Sequence, residues 1–176
     1  MKKLLFLMIL FSSCEKDSQI VQDPNNKSVY SGTFYAERNG VVWKAQPTAN
    51  YNYSDKNFYN LNFDSLSSGY LQRSFSFNKL PVNHLDTIRN FGKHVPINLT
   101  PYISFDNIDV DVTYDTWEPL FEDSLNNWIK INKFDTISKE VEGTFSATMV
   151  RSRGVTFGFP DTMRFRNGRF STKLWK

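Results

Sequence analysis

GTFYAERNGVVWKAQ, residues 32–46, decides how the chain is read. Its centre is Asn39-Gly40, a pair that tolerates the positive φ required at both positions of a type I′ turn. With a two-residue loop, Arg38 lies opposite Val41, Ala36 opposite Trp43 and Phe34 opposite Ala45. Phe34, Ala36, Trp43 and Ala45 then share one face; Tyr35, Glu37, Val42 and Lys44 share the other. Turn and alternation select the same register, which a slip of one residue would invert. The stretch reads as a β-hairpin with one buried face.

Working outward, the same pattern recurs. DTMRFRNGRFSTKLW, residues 161–175, holds a second Asn-Gly pair. A turn at Asn167-Gly168 places Phe165 opposite Phe170, Met163 opposite Thr172 and Arg166 opposite Arg169, with Arg164 on the same outer face. FYNLNFD (58–64) and YLQRSFSFN (70–78) flank a turn at Ser67-Ser68-Gly69. INLT follows Pro96, and YISFD follows Pro101. IDVDVTY (108–114) alternates strictly and reads as one strand. NWIKINKFD (127–135) and EVEGTFSATMV (140–150) complete the set. The one helix candidate is WEPLFEDSLNNW, residues 117–128. Short strands at this spacing predict an all-β domain, an antiparallel β-sandwich or, alternatively, a small up-and-down β-barrel.

Composition agrees. Aromatic residues make up 16% of the 176 residues, with 16 Phe and 8 Tyr. Such side chains fit pleated surfaces and are too apolar for a disordered chain.

The first thirty residues have a different character. MKKLLFLMILFSS, residues 1–13, runs from a basic start through eight apolar residues, Leu4–Phe11, to two serines. That is the layout of a secretory signal, and it is shorter than the roughly 20 residues that span a bilayer. The single cysteine, Cys14, follows directly. A free cysteine is often a small buried hydrophobe, but Cys14 sits between the signal and a polar stretch. Phe11-Ser12-Ser13-Cys14 resembles a bacterial lipobox, departing from it at Phe11, where Leu is usual. The resemblance implies diacylation of Cys14, and two acyl chains make a stable anchor. Residues 15–28, EKDSQIVQDPNNKS, read as a flexible tether of about 20 Å coil dimension. The predicted organisation is a signal at 1–13, lipidated Cys14 and tether at 14–28, and one β-rich domain at 29–176.

The charge balance excludes little but helps. The formal charge is +3. Without Lys2 and Lys3 it is 19 basic against 18 acidic residues, or +1, which gives no support to nucleic-acid binding. One cysteine permits neither an internal disulfide nor a Cys-rich zinc site. His84 and His94 are the only histidines, with no HExxH around them. No P-loop, dinucleotide fingerprint or G-x-S-x-G elbow is present, so neither metal nor cofactor is expected. Asp109 and Asp111, on one strand face, splay too far apart to surround a calcium ion. Residues 106–129 carry seven acidic and no basic side chains, while 150–176 carry seven basic and one acidic. That segregation predicts that the acidic strand lies near the Arg164/Arg166/Arg169 face.

Two further patterns bear on function. Trp43, Tyr51, Tyr53 and Tyr59 are candidate binding aromatics, because aromatic faces among Asn and Asp hold sugars or peptides. Asp-Ser/Thr-aliphatic tripeptides recur at Ser65, Thr87, Ser124, Thr136 and Thr162. They resemble the O-glycosylation sequon of exported Bacteroidota proteins; Asp-Ser/Thr pairs also favour turns and strand ends.

Taken together, F-x-A-x-x-N-G-x-x-W-x-A at 34–45, x-G-T-F-S at 142–146 and N-G-x-F at 167–170 resemble small Bacteroidota lipoproteins with a β-rich domain. The middle, 80–126, lies outside that resemblance. It implies an outer-membrane, lipid-anchored β domain and assigns no catalytic residue. The expected function is a non-enzymatic binding or accessory module with a glycan or protein partner. The alternative is an envelope enzyme, for example a glycan hydrolase using Asp109 and Glu118, whose carboxyls would need to stand about 5–9.5 Å apart.

Overall fold

The computed structural model describes residues 32–67, 71–89, 91, 100–109, 112–154 and 158–175. The signal, Cys14 and the tether lie outside them, as do His94 and the centre of the turn expected at 67–69.

Among the described residues, eleven strands form one mixed sheet: β1 (Gly32–Arg38), β2 (Val41–Trp43), β3 (Gln46–Tyr51), β4 (Phe58–Ser67), β5 (Leu71–Pro81), β6 (Thr87–Ile88), β7 (Tyr102–Asp109), β8 (Val112–Pro119), β9 (Trp128–Phe134), β10 (Glu140–Arg153) and β11 (Thr162–Trp175). The fold is all-β, as expected. The pairings β3-β4-β5-β7-β8-β10-β11 return to β3 through a parallel contact, Leu174 with Ala49 and Trp175 with Asn50. That closed circuit is the arrangement of the barrel alternative. β2 and β6 lie at the margins of the sheet. The helix candidate is a short 3₁₀ helix, Phe121–Asn126, between β8 and β9.

The first hairpin forms as read. Asn39 and Gly40 have φ of 52° and 79°, and Ala36 pairs with Trp43 and Arg38 with Val41. The pairing stops there, and Ala45 does not continue it. Asn39 also docks on β11: its backbone N–H donates to Arg164 O, and Arg164 N–H donates to Asn39 Oδ1.

The second Asn-Gly pair makes no turn. β11 runs straight through it as one 14-residue strand. Asn167 takes φ of 54° inside a β-bulge: Asn167 and Gly168 together oppose Ala36 of β1, and Arg166 and Asn167 together oppose Ser146 of β10. A left-handed residue suits a bulge as well as a turn. Phe165 therefore pairs with Arg38 and Ala147, and Phe170 with Phe34 and Gly143.

Two G-x-F tripeptides explain the long β10–β11 ladder. Gly143 lies opposite Phe170, and Phe145 opposite Gly168. Each ring lies over the other strand's glycine. A Cβ on Gly168 would stand 2.5–2.6 Å from three carbons of the Phe145 ring. Phe145 cannot retreat, because it packs on Phe34, Phe63, Phe75 and Phe77. Gly168→Ala should therefore lower unfolding stability by about 1–3 kcal/mol. Urea denaturation checks this, and Phe145→Leu in the same chain should recover part of the loss.

IDVDVTY is also reinterpreted. β7 ends at Asp109 and β8 starts at Val112, with Asp109 paired to Val112 and Ile108 to Thr113. The expected strand is the meeting point of two antiparallel strands.

Inward-facing residues fall into layers. Phe63, Phe75, Phe105 and Trp117 are register partners across four consecutive strands of the circuit, all fully buried. Phe145 and Phe165 reach them from β10 and β11, with Phe63–Phe145 stacked at 5.4 Å and Phe75–Phe165 at 4.5 Å. Trp43 inserts from β2 against Phe34, Phe75, Phe105 and Phe165. The interior is thus a packed aromatic core.

β1 rises from Gly32 to Arg38, and β11 descends antiparallel to it, with Gly32 opposite Thr172. Gly32 and Trp175 therefore lie at one end of the barrel. The Asn39-Gly40 turn, the β7–β8 reversal and the β10–β11 connection lie at the other.

Candidate functional site at the far end of the barrel

One register step beyond the aromatic layer, the inward residues turn polar. Ser65 pairs with Arg73, Arg73 with Asn107, and Asn107 with Asp115. Arg73 is in phase with Phe75 and Phe77, and Asp115 with Trp117, so alternation carries charged groups into the apolar phase of their strands. β1 adds Arg38, in phase with Phe34 and Ala36. β10 adds Arg151, register partner of Trp117.

Asp115 is fully buried and held from two sides. Arg151 Nη1 lies 3.3 Å from its Oδ1, and Asn107 Nδ2 donates to Oδ2 at 3.4 Å. The Arg151 guanidinium also stands 5.0 Å over the Trp117 ring and donates through Nη2 to Phe159 O. Trp117 Nε1 donates to Pro160 O at 3.1 Å. These contacts pin residues 159–161 across the barrel end. Gly154 leaves them room: at φ of 92°, its Cβ would sit 2.2 Å from Asp115 Oδ1.

Arg38 and Arg73 are half-buried beside this clasp. The Arg38 guanidinium lies 6.0 Å from the Trp43 ring, and that of Arg73 lies 5.0 Å over Phe159. Desolvation lowers the pKa of both below the ordinary arginine value, and the Arg73 charge lowers that of Arg38 further. The two cations therefore feel each other.

The residues singled out in the sequence are scattered. Trp43 and Tyr59 are buried in the core, so their rings are committed to packing. Burial pushes the Tyr59 phenol well above its ordinary pKa. Tyr51 is half-buried, with Lys56 and Lys139 each 5.9 Å from its ring, and Tyr53 is 96% exposed. The four form no common platform. His84 lies in an exposed loop, and Glu118 is half-buried on the outer phase of β8. Among the described residues, no three His, Cys, Asp or Glu side chains gather as a metal site.

Ser124 and Thr136 are exposed, while Ser65, Thr87 and Thr162 are half-buried in strands. The aspartates of these tripeptides do structural work. Asp135 Oδ1 accepts the N–H groups of Ile137 and Ser138, and Asp86 Oδ1 that of Thr87.

The expected charge pairing forms in altered shape. Arg166 meets Asp123 of the 3₁₀ helix at 3.8 Å, and no pairing of Arg166 with residues 108–114 is seen among the described residues. The Thr148 and Asn126 hydrogen bonds, then the Arg166 and Arg164 charges, hold the Asp123 carboxyl below the ordinary range. Arg169 instead lies over the Tyr35 ring at 5.4 Å.

Sequence reasoning missed Arg38, Arg73, Asn107, Asp115 and Arg151. The available signal was phase: a charge spaced by two from a run of core aromatics, as in Arg73-Ser-Phe75-Ser-Phe77. Comparison with protein-family models, curated proteins and solved structures finds no match.

Proposed function

We propose that the chain is a non-enzymatic binding or accessory module of the bacterial envelope, held at the outer membrane by a lipid on Cys14. The observation that carries this reading is the filled interior. Stacked and edge-on aromatic rings, among them Phe63, Phe75, Phe105, Phe145 and Phe165, occupy the space within the circuit. Partners meet the outer surface or the polar end rather than a lumen. The sequence MKKLLFLMILFSSC and the polar stretch behind it support export and tethering. The exposed Leu125 and Ile137, 80% and 93% accessible, support glycosylation at Ser124 and Thr136, since packing does not account for either aliphatic residue.

The test is the intact mass of the protein purified from its native membranes. The expected species lacks residues 1–13 and carries two acyl chains and a diacylglyceryl linkage on Cys14. Cys14→Ser should leave the protein outside the membrane fraction. A native mass with the first thirteen residues present and Cys14 unmodified overturns the anchor. Additional mass that disappears in Ser124→Ala or Thr136→Ala assigns the glycans.

A further inference from the structure

We propose that the barrel pole carrying Gly32 and Trp175 docks on the surface of the bilayer that holds the Cys14 lipid, with Tyr53, Ile137 and Trp175 seated among the headgroups. This contact rests on the envelope-anchor reading for the lipid, and adds to it the face that the domain turns to the membrane.

Register gathers three loops at this pole. Trp175 pairs with Asn50 and Tyr51 with Tyr59, so the β3–β4 loop, 52–57, lies just beyond the end of β11. Glu140 pairs with Lys173 and Val141 with Phe134, which brings the β9–β10 loop, 135–139, to the same end. Phe58 pairs with Pro81, so the β5–β6 loop, 82–86, leaves from there as well. The three are joined. Lys56 and Lys139, from two of them, each lie 5.9 Å from the Tyr51 ring. Lys139 O accepts the Leu174 N–H, and Asn57 O accepts that of Val82, both at 2.8 Å.

Each loop sends an apolar side chain outward. Tyr53 is 96% exposed, Leu85 57% and Ile137 93%, and Trp175 at the end of β11 is 41% exposed. Single exposed hydrophobes are ordinary, but these share one contiguous surface. Tyr and Trp, apolar with one polar atom, are the side chains that settle at headgroup level. Lys56, Lys139 and Lys173 are matched in number by Asp55, Asp86 and Asp135, whose carboxylates accept N–H groups of their own loops. Apolar seating rather than charge therefore holds the contact, which should persist in high salt.

Val41 and Val42 are exposed at the other pole, so exposure alone does not choose the occupant. The path of the chain does. Gly32 begins β1 at this pole, and residues 15–31 alone separate it from Cys14, a reach of about 60 Å even when fully extended. The 14 residues of β11 span about 45 Å, so the opposite pole could touch the bilayer only if the tether ran back along most of the barrel. The near pole meets the membrane at a high effective concentration that the tether itself sets.

The test uses the chain purified from its native membranes and inserted from outside into preformed vesicles of phosphatidylethanolamine with a minority of phosphatidylglycerol. Acylation occupies Cys14, so a thiol-reactive nitrobenzoxadiazole label enters only a cysteine introduced by Ser54→Cys, Ser138→Cys or, at the opposite pole, Val41→Cys. A glycan on Thr136 would stand beside Ile137, and the variants therefore carry Thr136→Ala. Added dithionite, which reduces only label that water reaches, should act about tenfold more slowly at positions 54 and 138 than at 41, as a docked fraction of roughly nine in ten requires. Tyr53→Ser with Ile137→Ser should restore the rate at position 54 to that at 41 without lowering Tm, because neither side chain is packed in the core. Equal rates at all three positions in a chain that floats with the vesicles, or a rate at position 54 that the double serine change leaves slow, overturn the docking and leave the anchor standing. Slow reduction that strengthens with protein density on the vesicles assigns the pole to a second copy and overturns the docking too. Label on Cys14 in a chain that does not float overturns the anchor, and the docking with it.

Discussion

Arg151→Met should be among the most damaging single changes, lowering unfolding stability by about 3–5 kcal/mol. Asp115 is fully buried, and its negative charge is balanced by Arg151 at 3.3 Å. Methionine fills similar volume but leaves the carboxylate in a low-dielectric site without the Arg151 charge, and the neutral Asn107 amide that donates to Oδ2 does not replace it. The ring contact with Trp117 and the hydrogen bond to Phe159 O are lost as well. The cost is largely that of the orphaned charge, so removing both charges should be milder than removing one. Arg151→Met combined with Asp115→Leu should recover much of the loss. Urea denaturation of the two single variants and the double variant checks this. Losses that simply add would mean that the pair is not coupled.

Phe75→Ala should cost a similar amount, about 3–5 kcal/mol, for a different reason. Phe75 is fully buried and meets five rings: Trp43, Phe63, Phe77, Phe145 and Phe165, at 4.5–6.4 Å. Alanine leaves a cavity at the centre of a set of stacked side chains that are already held from several sides. The surrounding rings cannot all close on it at once. Tyr53→Ala is the contrast, because Tyr53 is 96% exposed, and its removal should stay within about 0.5 kcal/mol. Midpoints of urea unfolding for the two variants measure the difference.

The two Asn-Gly pairs show what sequence can and cannot resolve. At Asn39-Gly40 the deciding facts are local: a turn of two residues and alternation on both sides of it. At Asn167-Gly168 the same residue types carry a bulge. What selects the bulge is Phe145, which needs the space where a Gly168 side chain would be. That partner is distant in sequence, and nothing within residues 161–175 announces it. IDVDVTY fails for a related reason. Apolar and acidic residues keep alternating while the chain reverses between Asp109 and Val112, so period alone does not register the reversal. The all-β class was legible because it depends on composition and spacing. The circuit was not, because it depends on which edges meet, such as the short parallel contact of Trp175 with Asn50.

The site was less legible still. Aromatic residues with Asn and Asp nearby single out Trp43 and Tyr59 as binding candidates, yet burial commits both to the core. The arginines at the barrel end carry no motif of their own. Their meaning lies in the phase they share with Phe75 and Ala36, and in the cross-strand registers that bring β1 and β5 to the same rings.

The shared location of Gly32 and Trp175 has a practical consequence for handling the molecule. Thr172 is paired with Gly32, and Trp175 stands three residues further on, about 10 Å along the strand. A reporter, affinity tag or solid support joined at Trp175 therefore occupies the same pole as an attachment at the amino-terminal side. The opposite pole, with Arg38 and Arg73, is left facing solution. A sensor surface joined through Trp175 thus presents the Asn39-Gly40 turn, the β7–β8 reversal and the polar layer beneath them to the solution.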